Sequence, residues 1–196
     1  SLKKYKKAIK DFTIAIELNP KNDEYFCKRA ECQGSLEKYK EAIKDFTIAI
    51  ELNPKCGLYY EKRGFFKNLS SKYKESIEDY TLLIDSHGCE KNLMSKFEAD
   101  VVCRVYFGRG NSYVEVKEYI KAIDDFTNAL IFYPEGINNY YSRGIAKFFL
   151  EDYEGALEDF LTFKNNELSD ELKKMTNNYI ILCQSKLLEI DDILKI

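Results

Sequence analysis

The chain has 196 residues, 45% hydrophobic and 32% charged, the balance of an ordinary packed soluble protein. Thirty Lys/Arg against 33 Asp/Glu leave a formal charge of −3, which argues against a general nucleic-acid binder, whose phosphate contacts need a basic face. No run of about 18 apolar residues is present to cross a membrane, and six scattered cysteines without a C-x-x-C pair point to a reducing, cytoplasmic compartment. The charge is uneven. Residues 1–50 hold 11 Lys/Arg against 8 Asp/Glu, whereas residues 151–196 hold 5 against 11, so a mildly basic start faces an acidic end. A solvated surface accounts for both, and orientation of a partner or a neighbouring copy is the sharper alternative.

Taken in order, the chain is one phrase repeated. The stretch from Tyr39 to Pro54 duplicates Tyr5 to Pro20 almost letter for letter, 34 residues on, and weaker copies start at Tyr73, Tyr119 and Tyr153. One spacing is 46, which is 34 plus a 12-residue insertion. A fixed period of this length means stacked units. Within each phrase the apolar residues fall at helical steps, as in Ala42, Ile43, Phe46, Ala49 and Ile50, and Asn53-Pro54 then ends the helix. A second helical pattern lies upstream of it, from about Glu24 to Leu36. Each unit is therefore a helix A, a short turn and a helix B, and neither helix can bury its stripe alone.

The pattern of these residues resembles the tetratricopeptide repeat family. The aromatic slot early in helix A is filled by Phe26, Tyr60, Tyr106 and Tyr140, and the small slot four residues on by Ala30, Gly64, Gly110 and Gly144. In helix B the Ala slot is Ala8, Ala42, Ser76, Ala122 and Ala156, and the ring slot is Phe12, Phe46, Tyr80, Phe126 and Phe160. The resemblance implies an all-α, right-handed superhelical solenoid of antiparallel helix pairs. Its expected parts are helix B of a truncated repeat at 2–20, repeats at 23–54, 57–88, 95–134 (with the insertion at 91–102) and 137–168, and a capping helix at 169–196, all in one array over 1–196. The sequence opens in the middle of a repeat, as a fragment would, so a missing leader says nothing.

Departures from the family pattern carry information. Arg29, Arg63, Arg109 and Arg143 stand where the family has Leu, and Asp11, Asp45, Asp79, Asp125 and Asp159 each precede the helix B ring. Matched positions of opposite charge suggest an ion-pair ladder, within a repeat or between neighbours, with a structural role. Helix B of the first unit, without a helix A, leaves one flank uncovered, which either an upstream segment or another molecule covers. Ser95 and Glu98 read as a capping box, so the following helix A should start near Ser95 and run about two turns longer than its siblings. After Leu168, the steps Leu172, Met175, Tyr179, Leu182, Lys186 and Ile190 mark the inner face of a capping helix. A dimer contact or a further repeat through Leu187, Leu188, Ile190, Ile193, Leu194 and Ile196 is the alternative.

Catalytic chemistry finds little support. His87 is the single histidine, and with Cys89 it makes too few ligands for a metal. It also leaves no Ser-His-Asp or Cys-His set. Gly108-Arg109-Gly110 lacks the third glycine and the preceding strand of a phosphate loop, and Asn68-Leu69-Ser70 is a chance sequon in a chain with reduced-looking cysteines. No enzyme activity, cofactor or metal is expected.

What the resemblance implies instead is recognition of a protein or peptide along a groove lined by the A helices. The family's groove positions select Lys28, Lys62, Phe65, Leu69, Arg104, Phe107, Asn111, Tyr141, Ile145 and Phe149 as partner-binding residues. The family's carboxylate clamp needs Lys and Asn one turn apart; the equivalent pairs here are Cys27/Glu31, Glu61/Phe65, Phe107/Asn111 and Tyr141/Ile145, and none supplies it. The expected ligand is an apolar or amphipathic segment with acidic residues for Lys28, Lys62 and Arg104. Coverage of several of these side chains by the C-terminal helix is the plainer alternative. The overall expectation is a cytoplasmic scaffold or adaptor; the alternatives are a self-association module forming a homo-oligomer through its terminal helices and, third, an RNA-binding helical repeat, which the charge disfavours.

Overall fold

The computed structural model describes residues 2–87, 96–166 and 169–194, and among these every regular element is a helix. The chain divides into two compact units, residues 1–88 and 89–196. The first holds α1 (Leu2–Leu18), α2 (Asp23–Gly34), α3 (Tyr39–Leu52), α4 (Gly57–Leu69) and α5 (Tyr73–His87). The second holds α6 (Lys96–Glu115), α7 (Tyr119–Phe132), α8 (Ile137–Phe149), α9 (Tyr153–Lys164) and α10 (Asp170–Leu194). No described helix is long and apolar enough to cross a membrane.

Helix ends follow the local chemistry. The Asn22 side chain accepts from the Glu24 amide and caps α2, and Asp152 does the same for α9 through Gly155. Each turn from helix A to helix B carries one non-glycine residue at positive φ: Glu37 (59°), Ser71 (58°), Lys117 (63°) and Glu151 (64°). That left-handed conformation lets the chain reverse within a few residues, at a steric cost of about 1–2 kcal/mol for an L-residue. At 20 residues, α6 exceeds α2, α4 and α8, which have 12, 13 and 13. Ser95, half of the expected capping box, lies outside the described residues, as do Gly88, Cys89 and the start of the insertion.

The core repeats with the sequence. Phe46, Phe126 and Phe160 are fully buried and Tyr80 nearly so, each set among the alanines or serine of its own helix. Helix A must come close to that ring, which explains its small slot. A Cβ on Gly144 would stand 2.9 Å from the Phe160 ring, and one on Gly110 2.7 Å from Phe126. Ser76 fits the Ala slot of α5 because its hydroxyl donates to the Gly64 carbonyl at 2.8 Å, so its burial leaves no polar group unmet.

The charged ladder is a double bracket. Arg29 grips Asp45 with Nε and NH2 at 2.7 Å each, and its NH1 donates to Thr13 of the preceding helix B at 3.2 Å. Arg63 binds Asp79 and Thr47 in the same way, and Arg143 binds Asp159 and Thr127. Arg109 grips Asp125 at 2.8 Å. Each guanidinium also lies over the ring three residues earlier, 5.5–5.8 Å from its centroid. Lys67 and Lys147 add a second cation to Asp79 and Asp159, both at 2.9 Å. Burial pushes the Asp125 carboxyl up, and the Arg109 hydrogen bonds oppose it.

One expectation is corrected in α10. Its inner face is Thr176, Tyr179, Ile180 and Cys183, whereas Leu172, Met175, Leu182 and Ile190 are 39–47% exposed. The face is chosen by Tyr179, whose ring stacks on Phe160 at 5.0 Å, and Thr176 can be buried because its hydroxyl donates to the Leu172 carbonyl of its own helix.

Two measurements follow from this architecture. Asp45→Ala should lower unfolding free energy by about 3 kcal/mol, since it strands Arg29, while Arg29→Met with Asp45→Ala should cost less than the sum of the single changes; urea unfolding of the double-mutant cycle reads the difference. Lys117→Gly should raise stability by up to about 1 kcal/mol, as relief of the left-handed residue outweighs the entropy of glycine.

Candidate functional site

The A helices carry the expected partner-binding positions, and each unit presents its own set. In the first unit, Leu58, Lys62, Phe65 and Leu69 of α4 are spaced by four, three and four residues, which puts them on one face of the helix. Leu58, Phe65 and Leu69 are 45%, 49% and 46% exposed. Phe65 stands edge-on to Phe66, with centroids 5.3 Å apart, and Phe66 in turn is buried against Phe46 and Tyr39. The exposed ring is thus braced from below by a core ring.

The cations around this stripe differ in what they already bind. Lys28 of α2 is paired with Glu31 at 3.2 Å. Lys62 makes no ion pair among the described residues. Cys27 and Glu61, at matched positions of α2 and α4, are buried rather than presented. Burial pushes the Cys27 thiol up to about 11, with Glu31 adding to the effect and Lys28 and Lys62 opposing it, so the thiol stays protonated at neutral pH.

In the second unit the positions separate into two groups. Tyr141 and Ile145 of α8 pack into the cluster formed by α9 and α10, the Tyr141 ring lying 4.9 Å from Phe163, 5.8 Å from Phe160 and 6.3 Å from Tyr179. Burial raises the Tyr141 phenol above its usual range. Phe149, two turns beyond Tyr141, is 52% exposed and stacks flat on Tyr119 at 5.2 Å. On α6, Phe107 rests on Phe126, Arg104 is paired with Asp100 within its own helix, and Asn111 is half-buried. Tyr119 was not among the expected residues; the tyrosine that opens every helix B was the signal for it. Among the described residues no group of three or more His, Cys, Asp or Glu side chains is placed to hold a metal ion.

A family model described as tetratricopeptide repeat matches residues 23–56, and the Phe26, Ala30, Ala42 and Phe46 positions within it recur in the other helix pairs. The fold is that of a tetratricopeptide solenoid. Solved structures with the same fold include MamA from Desulfovibrio magneticus RS-1, at TM-score 0.72 and 18% identity, covering 81% of this chain and 83% of that one. Pseudomonas aeruginosa PilF superposes at TM-score 0.69 and 13% identity over 95% of this chain and 84% of its own. The first tetratricopeptide domain of Spaghetti (RPAP3), solved with the HSP90 peptide SRMEEVD, gives 0.53 and 21% over 67% of this chain and 93% of that one. None of the curated proteins compared matches the chain.

Within this tetratricopeptide frame, exposure separates residues that hold the fold from those that face outward. Tyr141→Ala should destabilise the protein by about 2–4 kcal/mol, because its ring is shared by three core rings, whereas Phe65→Ala should cost about 1 kcal/mol or less; paired urea titrations check the contrast.

Proposed function

We propose that this protein is a non-enzymatic cytoplasmic scaffold or adaptor that binds a partner peptide or helix on the groove face of its A helices. The observation that carries this reading is the α4 stripe, where three large apolar side chains stand about half exposed along one helix face with the unpaired cation Lys62 among them. A monomeric surface rarely lines up such residues. The occupant that fits is an amphipathic segment with apolar side chains for Leu58, Phe65 and Leu69 and a carboxylate for Lys62. Three anchors at roughly 1.5–3 kcal/mol each are enough for micromolar binding. Peptide recognition by the similar RPAP3 domain supports the class of ligand and not its sequence, since the Lys/Asn carboxylate clamp has no counterpart among the matched positions here. Phe149, set on Tyr119, is the matching apolar anchor of the second unit.

Self-association is a second reading, favoured by the outer face of α10, where Ile181, Leu182, Leu188 and Ile190 are 62%, 47%, 65% and 42% exposed. A displayed peptide library selected against the whole chain separates the two. Peptide recognition predicts enriched sequences pairing large apolar residues with Asp or Glu, bound at least tenfold more weakly by Phe65→Ala and by Lys62→Glu at unchanged melting temperature. Enriched peptides indifferent to both changes would remove the site from α4, and a concentration-dependent mass abolished by Leu188→Glu would make self-association the leading function.

A further inference from the structure

Helices α3, α5, α7 and α9 each open on a tyrosine, and the residues on either side of it differ in charge between the two units. In the first unit Lys38 and Lys40 flank Tyr39, and Lys72 and Lys74 flank Tyr73. In the second, Glu118 and Ile120 flank Tyr119, and Asp152 and Glu154 flank Tyr153. All eight flanking side chains are exposed, so the contrast is displayed at the surface. An apolar ledge accompanies it only in the second unit. There the Tyr119 ring stacks flat on Phe149, which brings the turn before α7 alongside the turn before α9, and Phe148 stands edge-on to both Phe149 and Tyr153, at 5.9 and 5.6 Å. Phe149, Leu150 and Ile120 are 52%, 41% and 67% exposed. The cations of this region are largely committed. Lys121 is paired with Glu118, Lys147 with Asp159, and Lys186, which lies near Tyr153 and Glu151, with Glu189. Among the described residues this leaves Lys117 against Glu115, Glu151, Asp152 and Glu154, all of them exposed.

We propose that this ledge, from Tyr119 and Ile120 to Phe149 and Leu150, docks a basic segment of a partner protein in which large apolar residues alternate with arginine or lysine. The apolar residues cover Phe149, Leu150 and Ile120, and the cations meet the carboxylates of Glu115, Glu151 and Glu154. Arginine suits the place best, because its flat guanidinium lies on a ring and forks onto a carboxylate at the same time. The same unit already does this internally, where Arg109 lies over Tyr106 while gripping Asp125. Phe149 is held between Tyr119 and Phe148, so little freedom is lost when it is covered. An acidic segment of the kind that fits Lys62 is repelled here, and the two units thus select opposite charges. The ledge lies wholly within the second unit and does not depend on the α4 stripe.

A displayed peptide library selected against the whole chain carrying Lys62→Glu and Phe65→Ala, which silence the α4 stripe, isolates this surface. Enriched peptides are expected to set Arg or Lys beside large apolar residues and to bind more weakly as salt is raised. Adding Glu151→Lys and Glu154→Lys should weaken them at least tenfold, and peptides with their cations changed to Glu should regain affinity for that variant. Both glutamates are exposed, so the variant should melt with its parent, and circular dichroism verifies this. Phe149→Ser should abolish the remaining binding. No enrichment, or enrichment of acidic or uncharged peptides, would overturn the proposal. So would basic peptides indifferent to the paired glutamate changes or to Phe149→Ser. A concentration-dependent mass that the glutamate changes abolish would also overturn it, since the lysine-flanked edge of a second copy would then be the occupant.

Discussion

The arginine of helix A is the joint on which this architecture turns. A tetratricopeptide unit has a small core, and helices of 12–15 residues are marginal in isolation, so their order comes from contacts with neighbours. Here one guanidinium contacts two of them at once, holding the aspartate of its own helix B through two nitrogens and the threonine of the preceding helix B through the third. Planarity makes this possible. A lysine at that place is a point charge and cannot divide its hydrogen bonds among three fixed directions. The ladder also carries its own stop. Leu161 stands where α1, α3 and α7 have Thr13, Thr47 and Thr127, so α9 presents no hydroxyl to a following arginine. The helix that packs there, α10, is held by the Tyr179 ring on Phe160 instead.

Much of this was legible in the sequence, because the period supplies many observations of one rule. The ring, alanine and small slots and the Arg/Asp correspondence were each seen four or five times, and the proline stop three times, and a rule repeated that often survives substitutions such as Ser76. The parts that were not legible occur once. In α10 two apolar stripes lie close together on the helix, and the choice between them depended on one tyrosine meeting one phenylalanine across a gap that no local pattern records. Thr176 on the inner face was hidden for a related reason: a hydroxyl bonded to its own helix counts as polar in the sequence and as satisfied in the fold.

The candidate site was legible in part. Family positions located the residues but not their prior commitments. Lys28 and Lys62 occupy the same repeat position, yet Glu31 neutralises the first and nothing described pairs with the second, because Phe65 stands where Glu31 would be. Tyr141 and Phe149 lie on the same stretch of α8, yet the first is shared with α9 and α10 and the second is left outside on Tyr119. Recognition in a repeat protein is decided by such single departures, since whatever is common to all repeats is already used in stacking them.

The near identity of α1 and α3 has a consequence for how the chain reaches this structure. Lying between two helices of almost the same sequence, α2 cannot tell its own partner from its neighbour by composition. What distinguishes them is connectivity. The turn after α2, with Glu37 left-handed, reverses the chain tightly onto α3, while the turn through Asn19, Pro20 and Asn22 sets α1 against the opposite side. During folding the first unit is therefore a problem of topology rather than of affinity, in which short turns break a symmetry that the side chains leave intact.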